Sequence, residues 1–332
     1  MTARRPTVVL LGATGFIGSA VLRELCRRDV TVRAVSRGVP VVPPEPRAWV
    51  EPVSADLAET GAVTELVADA DLVIHTVGYI AGAGTWRIEG GDEAAERVNV
   101  GVVRELVETL SRRPGPPAGV VFAGAVSQVG TPDHEVVDGS EPDNPRGEYN
   151  RQKLAAERLL LHAHTVGVLV GTSVRLPTVY GYTPDSTTRD KGVMTTMVRR
   201  AVAGEPITMW HDGTVRRDLL HVSDAASALV RAGDRLDRLG GRHWVLGSGT
   251  RTPLGEAFKT VARLVATRTG APPVDVLTVP PPAHAEVGDF RHLTVDASGF
   301  RAATGWHPTV PLDDGLASTV QFVAGDCEGA LR

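Results

Sequence analysis

The segment Thr7 to Gly18, TVVLLGATGFIG, constrains this chain more than any other stretch. Val8 to Leu11 is an unbroken apolar run, the pattern of a strand buried on both faces. Gly12, Gly15 and Gly18 follow at even spacing, and an amphipathic run from Ser19 to Arg28 begins at once. Gly12 lets the chain turn sharply, and Gly15 lets backbone N–H groups approach a pyrophosphate. Gly18 lets the new helix pack on the strand, with its positive end facing the anion. Thr14, Phe16 and Ile17, lying between the glycines, are placed at the same ligand. A strand, a glycine loop and a helix in this order form the context that a dinucleotide site requires.

Beyond this opening, strand and helix alternate. Thr31–Ser36, Trp49–Val53, Leu72–Thr76, Gly119–Ala123 and Val168–Arg175 read as strands. Gly61–Ala70, Glu93–Leu110 and Tyr149–His162 read as helices, and Gly78–Gly91 as a glycine-rich loop. Such alternation implies an α/β fold, a doubly wound parallel sheet of the Rossmann type with right-handed crossovers. After Arg175 the elements shorten and loops lengthen (Thr183–Gly192 and the proline-rich Ala271–His284). A dinucleotide-binding domain over 1–175 and a smaller C-terminal substrate-binding domain over 176–332 are therefore expected. Residues 217–235, strand then helix, return to the first domain.

Composition narrows the class. With 42% hydrophobic and 22% charged residues in 332, the chain fits a soluble globular protein. A net charge of −4 gives no reason to expect nucleic acid as a partner. No apolar run reaches the length of a membrane span, so no membrane is expected and the cytoplasm is the default location. Cys26 and Cys327 supply neither a disulfide framework nor a metal site, and His162 and His164 lack the carboxylates that would make one. Lysine stands only at 153, 191 and 259, so at Lys153 an ammonium, not a guanidinium, is the group retained.

The tip of the second strand selects the cofactor. A carboxylate there binds the adenosine 2′-OH, whereas an arginine accommodates a 2′-phosphate. The residues are Ser36-Arg37-Gly38, which favours NADP(H) over NAD(H). Tyr149 and Lys153 stand four apart on one helix face. An ammonium beside a phenol lowers the phenol pKa and suits it to proton transfer. Lys153 is also placed to hold the nicotinamide ribose.

The GATGFIG loop followed by Y-x-x-x-K resembles the extended short-chain dehydrogenase/reductase family, and the likeness runs nearly the whole chain. It implies that Asp56 and Leu57 meet the adenine edge. It also implies that His75, Thr76 and Val77 line the cofactor after the fourth strand, and that Asn99 occupies the family's helix position. Arg175-Leu176-Pro177-Thr178-Val179-Tyr180-Gly181 resembles the R-x-x-x-V-Y-G segment, which places Pro177 and Val179 at the cofactor and Thr178 at the substrate. Arg216-Arg217-Asp218-Leu219-Leu220-His221-Val222-Ser223-Asp224 resembles the R-D-x-x-H-V-x-D signature of nucleotide-sugar enzymes, whose arginine contacts the diphosphate. Arg217 takes that role here, with Arg216 and Arg291 as helpers and Trp210 in the substrate site. Gly305-Trp306-His307-Pro308 matches the C-terminal G-W-x-P.

One departure stands out. The family's catalytic hydroxyl position falls on Ala125. Ser127, two residues on, projects to the same side if the strand stays extended, and it is expected to donate to the substrate carbonyl. Thr178 or Thr85 is the next hydroxyl in line. The resemblance is greatest, over Val193–Arg217, to TDP-4-keto-6-deoxyhexose 4-ketoreductases. The expected activity is therefore NADPH-dependent reduction of a TDP-linked keto-deoxysugar, 6-deoxy or 2,6-dideoxy, by a homodimer. A nucleotide-sugar 4-epimerase is the alternative, and an NADP-sensing regulator would lack the retained Tyr/Lys pair. A 4,6-dehydratase needs an Asp-Glu pair where Val126 and Ser127 stand.

Overall fold

The computed structural model describes residues 4–79, 90–186, 188, 190–283 and 285–329, with backbone alone for 326–329. Thr85 lies outside the described residues. β1 (Thr7–Leu11) is buried along its whole length. Beside it lie β2 (Thr31–Ser36) and β3 (Trp49–Ser54), then on its other side β4 (Leu72–His75) and β5 (Ala118–Ala125). Strands Leu169–Leu176 and His243–Val245 complete a seven-stranded sheet, parallel at every pairing. The spatial order is His243–Val245, Leu169–Leu176, β5, β4, β1, β2, β3. The chain leaves β1 toward β2 and returns to β4 on the opposite side. A crevice therefore opens where the loops after β1 and β4 diverge, which is where open α/β sheets bind ligands. Pro52 sits in the edge strand β3, where its missing N–H leaves no central ladder bond unmade.

α1 (Phe16–Leu25) covers one face of the sheet. The stretch expected to be helical from Gly61 to Ala70 forms regular helix only at α2 (Thr64–Val67). The helix expected over Glu93–Leu110 is present but interrupted. α3 (Glu93–Glu96) passes through a π turn at Arg97–Gly101 into α4 (Val102–Ser111). Asp92 caps its start by accepting from the Ala95 N–H. α5 (Gly147–Thr165) packs beside α4 on the second face, over a core that includes Leu106, Phe122 and Leu160.

The C-terminal half contributes to both lobes. α6 (Val193–Val202) begins the smaller one. α7 (Val222–Gly233) lies against α1 on the first face of the sheet, and α8 (Leu236–Leu239) leads into the edge strand His243–Val245. α9 (Leu254–Thr269) and α11 (Leu312–Gly329) pack with α6 around a separate apolar core containing Val198, Phe258 and Leu316. Between them, α10 (Ser298–Thr304) sends Phe300 into the core under the sheet, with Trp306 beside it. The Trp306 indole N–H donates to Ser227 on α7 at 2.8 Å.

Candidate active site

The glycine loop is shaped by close contacts. Gly12 has φ +96°, a left-handed conformation that favours glycine. A Cβ on Gly18 would lie 1.9 Å from the Gly12 carbonyl oxygen, so any side chain there separates α1 from β1. The Gly15 N–H turns inward to Gly12 O at 2.9 Å. Groups available to an anion are therefore the first-turn amides of α1, which have no intrahelical partner. No side chain caps α1 and no acidic residue stands in its first turn. This bare, positive helix end fits a pyrophosphate.

The loop opens on a cavity of about 1760 Å³ lying between the two lobes. Single-ligand pockets commonly run to about 300–1,000 Å³, so this one has room for two ligands end to end. Gly12, Thr14, Gly15, Phe16 and Ile17 line it at one end, and Ser36, Arg37, Asp56 and Leu57 line the rim beyond. Arg37 is exposed there, with no carboxylate at the strand tip. Ser36 is buried, and its hydroxyl donates to Gly38 O at 2.8 Å. That hydroxyl shapes the turn, in place of the ligand-donating role expected from its position. Asp56 likewise accepts from its neighbour, the Ala58 N–H, at 3.0 Å.

Of the residues after β4, Thr76 and Val77 reach the cavity and His75 does not. This corrects the expectation that His75 lines the cofactor. His75 is 0% exposed, edge-on to Phe122, and neither ring nitrogen has a partner among the described residues. Burial, with the nearby Lys153 charge, pulls its pKa down to about 3 and keeps the ring neutral. Asn99 is also away from the cavity wall. From the π turn its Oδ1 accepts from the Tyr79 N–H at 2.8 Å, and its Nδ2 donates to Gln152 on α5 at 2.8 Å. It acts on the site by joining the loop after β4 to the tyrosine-bearing helix.

Tyr149 and Lys153 both line the cavity, one turn apart on α5. Lys153 is buried; Nζ donates to Ala123 O at 2.8 Å and sits 4.4 Å from the centroid of the Phe122 ring. Burial pulls its pKa down to about 8, against the pull of Glu157 one turn on, which favours the ammonium. Tyr149 moves opposite to expectation. The surrounding protein pushes its pKa up to about 12, because withdrawal from water disfavours the phenolate. At neutral pH the site holds a phenol and an ammonium. A Cβ at Gly78 would lie 3.9 Å from the Tyr149 hydroxyl, so bare backbone faces the phenol.

The third position also differs from expectation. β5 ends at Ala125, and Val126–Val129 forms a 3-10 turn in place of extended chain. Ser127 still lines the cavity, but its hydroxyl donates to Asn150 Oδ1 at 2.7 Å. Neither Asn150 nor Glu157 was singled out from the sequence. Glu157 receives Ser173 Oγ at 2.6 Å and pairs with the buried Arg175, whose Nη2 also lies 2.7 Å from Asp143 Oδ1. This network anchors α5 to the strand Leu169–Leu176. The signal for Glu157 was a second charged residue one turn beyond Lys153 on the same face.

Pro177, Thr178, Val179, Trp210, Arg217 and Arg291 line the cavity as well. Asp218, His221 and Asp224, the other members of the R-D-x-x-H-V-x-D segment, make structural bonds. Asp218 accepts from the Ser248 N–H at 2.7 Å, His221 caps α7, and Asp224 accepts from the Thr309 and Val310 amides. Arg217 is engaged as well. Nη1 donates to Arg216 O and Arg291 O, and Nη2 to Gly288 O and Asp289 O. Among the described residues, these four bonds occupy both Nη groups and leave Nε as the remaining donor. The fork expected to hold a diphosphate grips the carbonyls of the Gly288–Arg291 segment instead.

The family model described as the NAD dependent epimerase/dehydratase family matches residues 8–247. A UDP-glucose 4-epimerase of Mycolicibacterium smegmatis is 28% identical over 330 residues, covering 95% of this chain and 97% of that one. A dTDP-6-deoxy-L-talose 4-dehydrogenase (NAD(P)(+)) of Kitasatospora kifunensis is 28% identical over 309 residues, 91% of this chain and 90% of the other. Among solved structures, MoeE5 in complex with UDP-glucose and NAD is 27% identical with a TM-score of 0.78, covering 98% of this chain and 100% of that one. RMD from Pseudomonas aeruginosa complexed with NADPH, at 18% identity and a TM-score of 0.75, shares the fold. On the glycine loop, the parallel sheet and a family match running from β1 to the edge strand, the chain belongs to the NAD dependent epimerase/dehydratase family of extended short-chain dehydrogenases/reductases.

Proposed function

We propose that the protein is an NADPH-dependent reductase of the C4 keto group of a nucleotide-linked 6-deoxyhexose, a TDP-linked keto-deoxysugar of deoxysugar biosynthesis. The observation that carries this reading is the placement of Tyr149 and Lys153 together on the wall of the glycine-loop cavity, where burial disfavours the phenolate. Ketone reduction places negative charge on the carbonyl oxygen, and a phenol there supplies the proton that quenches it. Lys153, fixed by Ala123 O, keeps a positive charge next to that oxygen. Arg37 at the strand tip favours NADPH, and the dTDP-6-deoxy-L-talose relative is described as using either cofactor, NAD(P)(+). Bound NADPH supplies the hydride.

The second reading is a nucleotide-sugar 4-epimerase, favoured by the UDP-glucose 4-epimerase similarity along nearly the whole chain. Two assays separate them. NADPH oxidation with a panel of TDP-4-keto sugars, followed by NMR of the product, gives stoichiometric alcohol for a reductase. Interconversion of UDP-glucose and UDP-galactose without added NADPH, and no oxidation with the keto sugars, identifies the epimerase.

A further inference from the structure

The hydrogen bonds around Ser127 have a definite direction. Asn150 is buried, and its Nδ2 donates to the carbonyl oxygen of Arg146 at 2.7 Å. A carbonyl accepts only, so Nδ2 must face it and Oδ1 must face Ser127. Ser127 therefore donates its single proton to Asn150, at 2.7 Å. A hydroxyl has one donor and two lone pairs, so the side of Ser127 facing the cavity presents an acceptor. The adjacent backbone offers no substitute donor at position 125, because the Ala125 N–H donates to Gln128 Oε1 at 2.7 Å. Ala125 itself carries no hydroxyl. This corner of the cavity accepts a hydrogen bond where a carbonyl-binding corner would donate one.

We propose that Ser127 is a specificity-determining acceptor for a substrate hydroxyl adjacent to the reacting carbonyl, and that Asn150 is the positioning residue that gives it this polarity. The inference rests on the keto-sugar reading. In a 4-keto-6-deoxyhexose the hydroxyl beside the carbonyl is on C3, so a 3-hydroxy sugar is selected over a 3-deoxy sugar. Carbonyl activation then falls to Tyr149 and Lys153.

The test compares a TDP-4-keto-6-deoxyhexose and its 3-deoxy counterpart as substrates for wild type, Ser127→Ala and Asn150→Ala. A neutral hydrogen bond is worth roughly two- to tenfold in affinity. Ser127→Ala is expected to raise KM for the 3-hydroxy sugar by about that factor and leave kcat and the 3-deoxy sugar within about twofold. Asn150→Ala, which frees the hydroxyl to rotate, is expected to weaken the preference for the 3-hydroxy sugar. Equal loss of kcat on both sugars in Ser127→Ala would mean that the serine donates to the carbonyl, and would overturn the proposal. So would an unchanged preference in either variant. Ser127→Cys, a weaker acceptor of similar size, gives the same readout if the alanine variant does not fold. If wild type reduces neither sugar, the reductase reading fails on its own. Calorimetric titration of the two nucleotide sugars into wild type and Ser127→Ala, with NADP+ present, still reads the hydroxyl-by-mutation pattern.

Discussion

Tyr149 and Lys153 show how burial redirects a pair that a helix sets side by side. Four-residue spacing was enough to place phenol and ammonium on one face, but the protonation states follow from the surroundings. Tyr149, pushed up to about 12, is an acid waiting for an oxyanion. Tyr149→Phe should lower kcat by roughly a hundredfold while NADPH still binds, measured by turnover and by cofactor fluorescence. Lys153, pulled down to about 8, carries its charge below that pH and loses it above. The reductive kcat/KM should thus fall as pH rises through about 8, and Glu157→Gln, by removing an anion that favours the ammonium, should move the limb to lower pH. A limb that stays in place in Glu157→Gln would show that another group sets it. At the cofactor rim, Arg37→Asp should turn the NADPH/NADH ratio of kcat/KM toward NADH, since the carboxylate accepts from a 2′-OH and repels a 2′-phosphate.

Among the elements, the segment Gly288–Arg291 is tied to the rest of the fold by the Arg217 side chain. Arg217 holds it by carbonyls that a phosphate would have to replace or share. Arg217→Ala should speed amide exchange across this segment and raise KM for the nucleotide sugar by roughly 10- to 150-fold, the worth of the one charged hydrogen bond that its Nε is left to make, with KM for NADPH unchanged. Arg217→Lys should recover part of the loss, because an ammonium keeps the charge without the fork. An unaltered sugar KM in Arg217→Ala would remove this arginine from substrate handling. The π turn at Arg97–Gly101 is a second element with a local purpose. It carries Asn99, whose side chain bonds to the Tyr79 N–H and to Gln152.

For the whole molecule, the buried His75 links folding to acidity. Its ring is neutral in the fold, with a pKa near 3 against an ordinary value of 6.5. Between those values the unfolded chain takes up a proton that the fold refuses, so stability falls as pH drops below about 6.5. Urea midpoints of wild type should fall more steeply between about pH 7 and about pH 5 than those of His75→Phe. Parallel curves would exclude His75 as the cause. The likeness between chain and fold is greatest where a pattern is local. The run Val8–Leu11, the glycines and the Tyr149–Lys153 spacing each determine a conformation within a few residues, and with the strand–helix alternation they were enough for the dinucleotide loop, the helix carrying the pair and the parallel sheet. The remainder came from contacts distant in sequence. His75 was removed from the cavity by Phe122 packing on it, and Ser127 was turned into an acceptor by Asn150 and, through it, Arg146. Arg217 was taken by carbonyls more than seventy positions away. Hydrogen-bond direction and desolvation depend on which groups meet, and the fold alone brings those groups together.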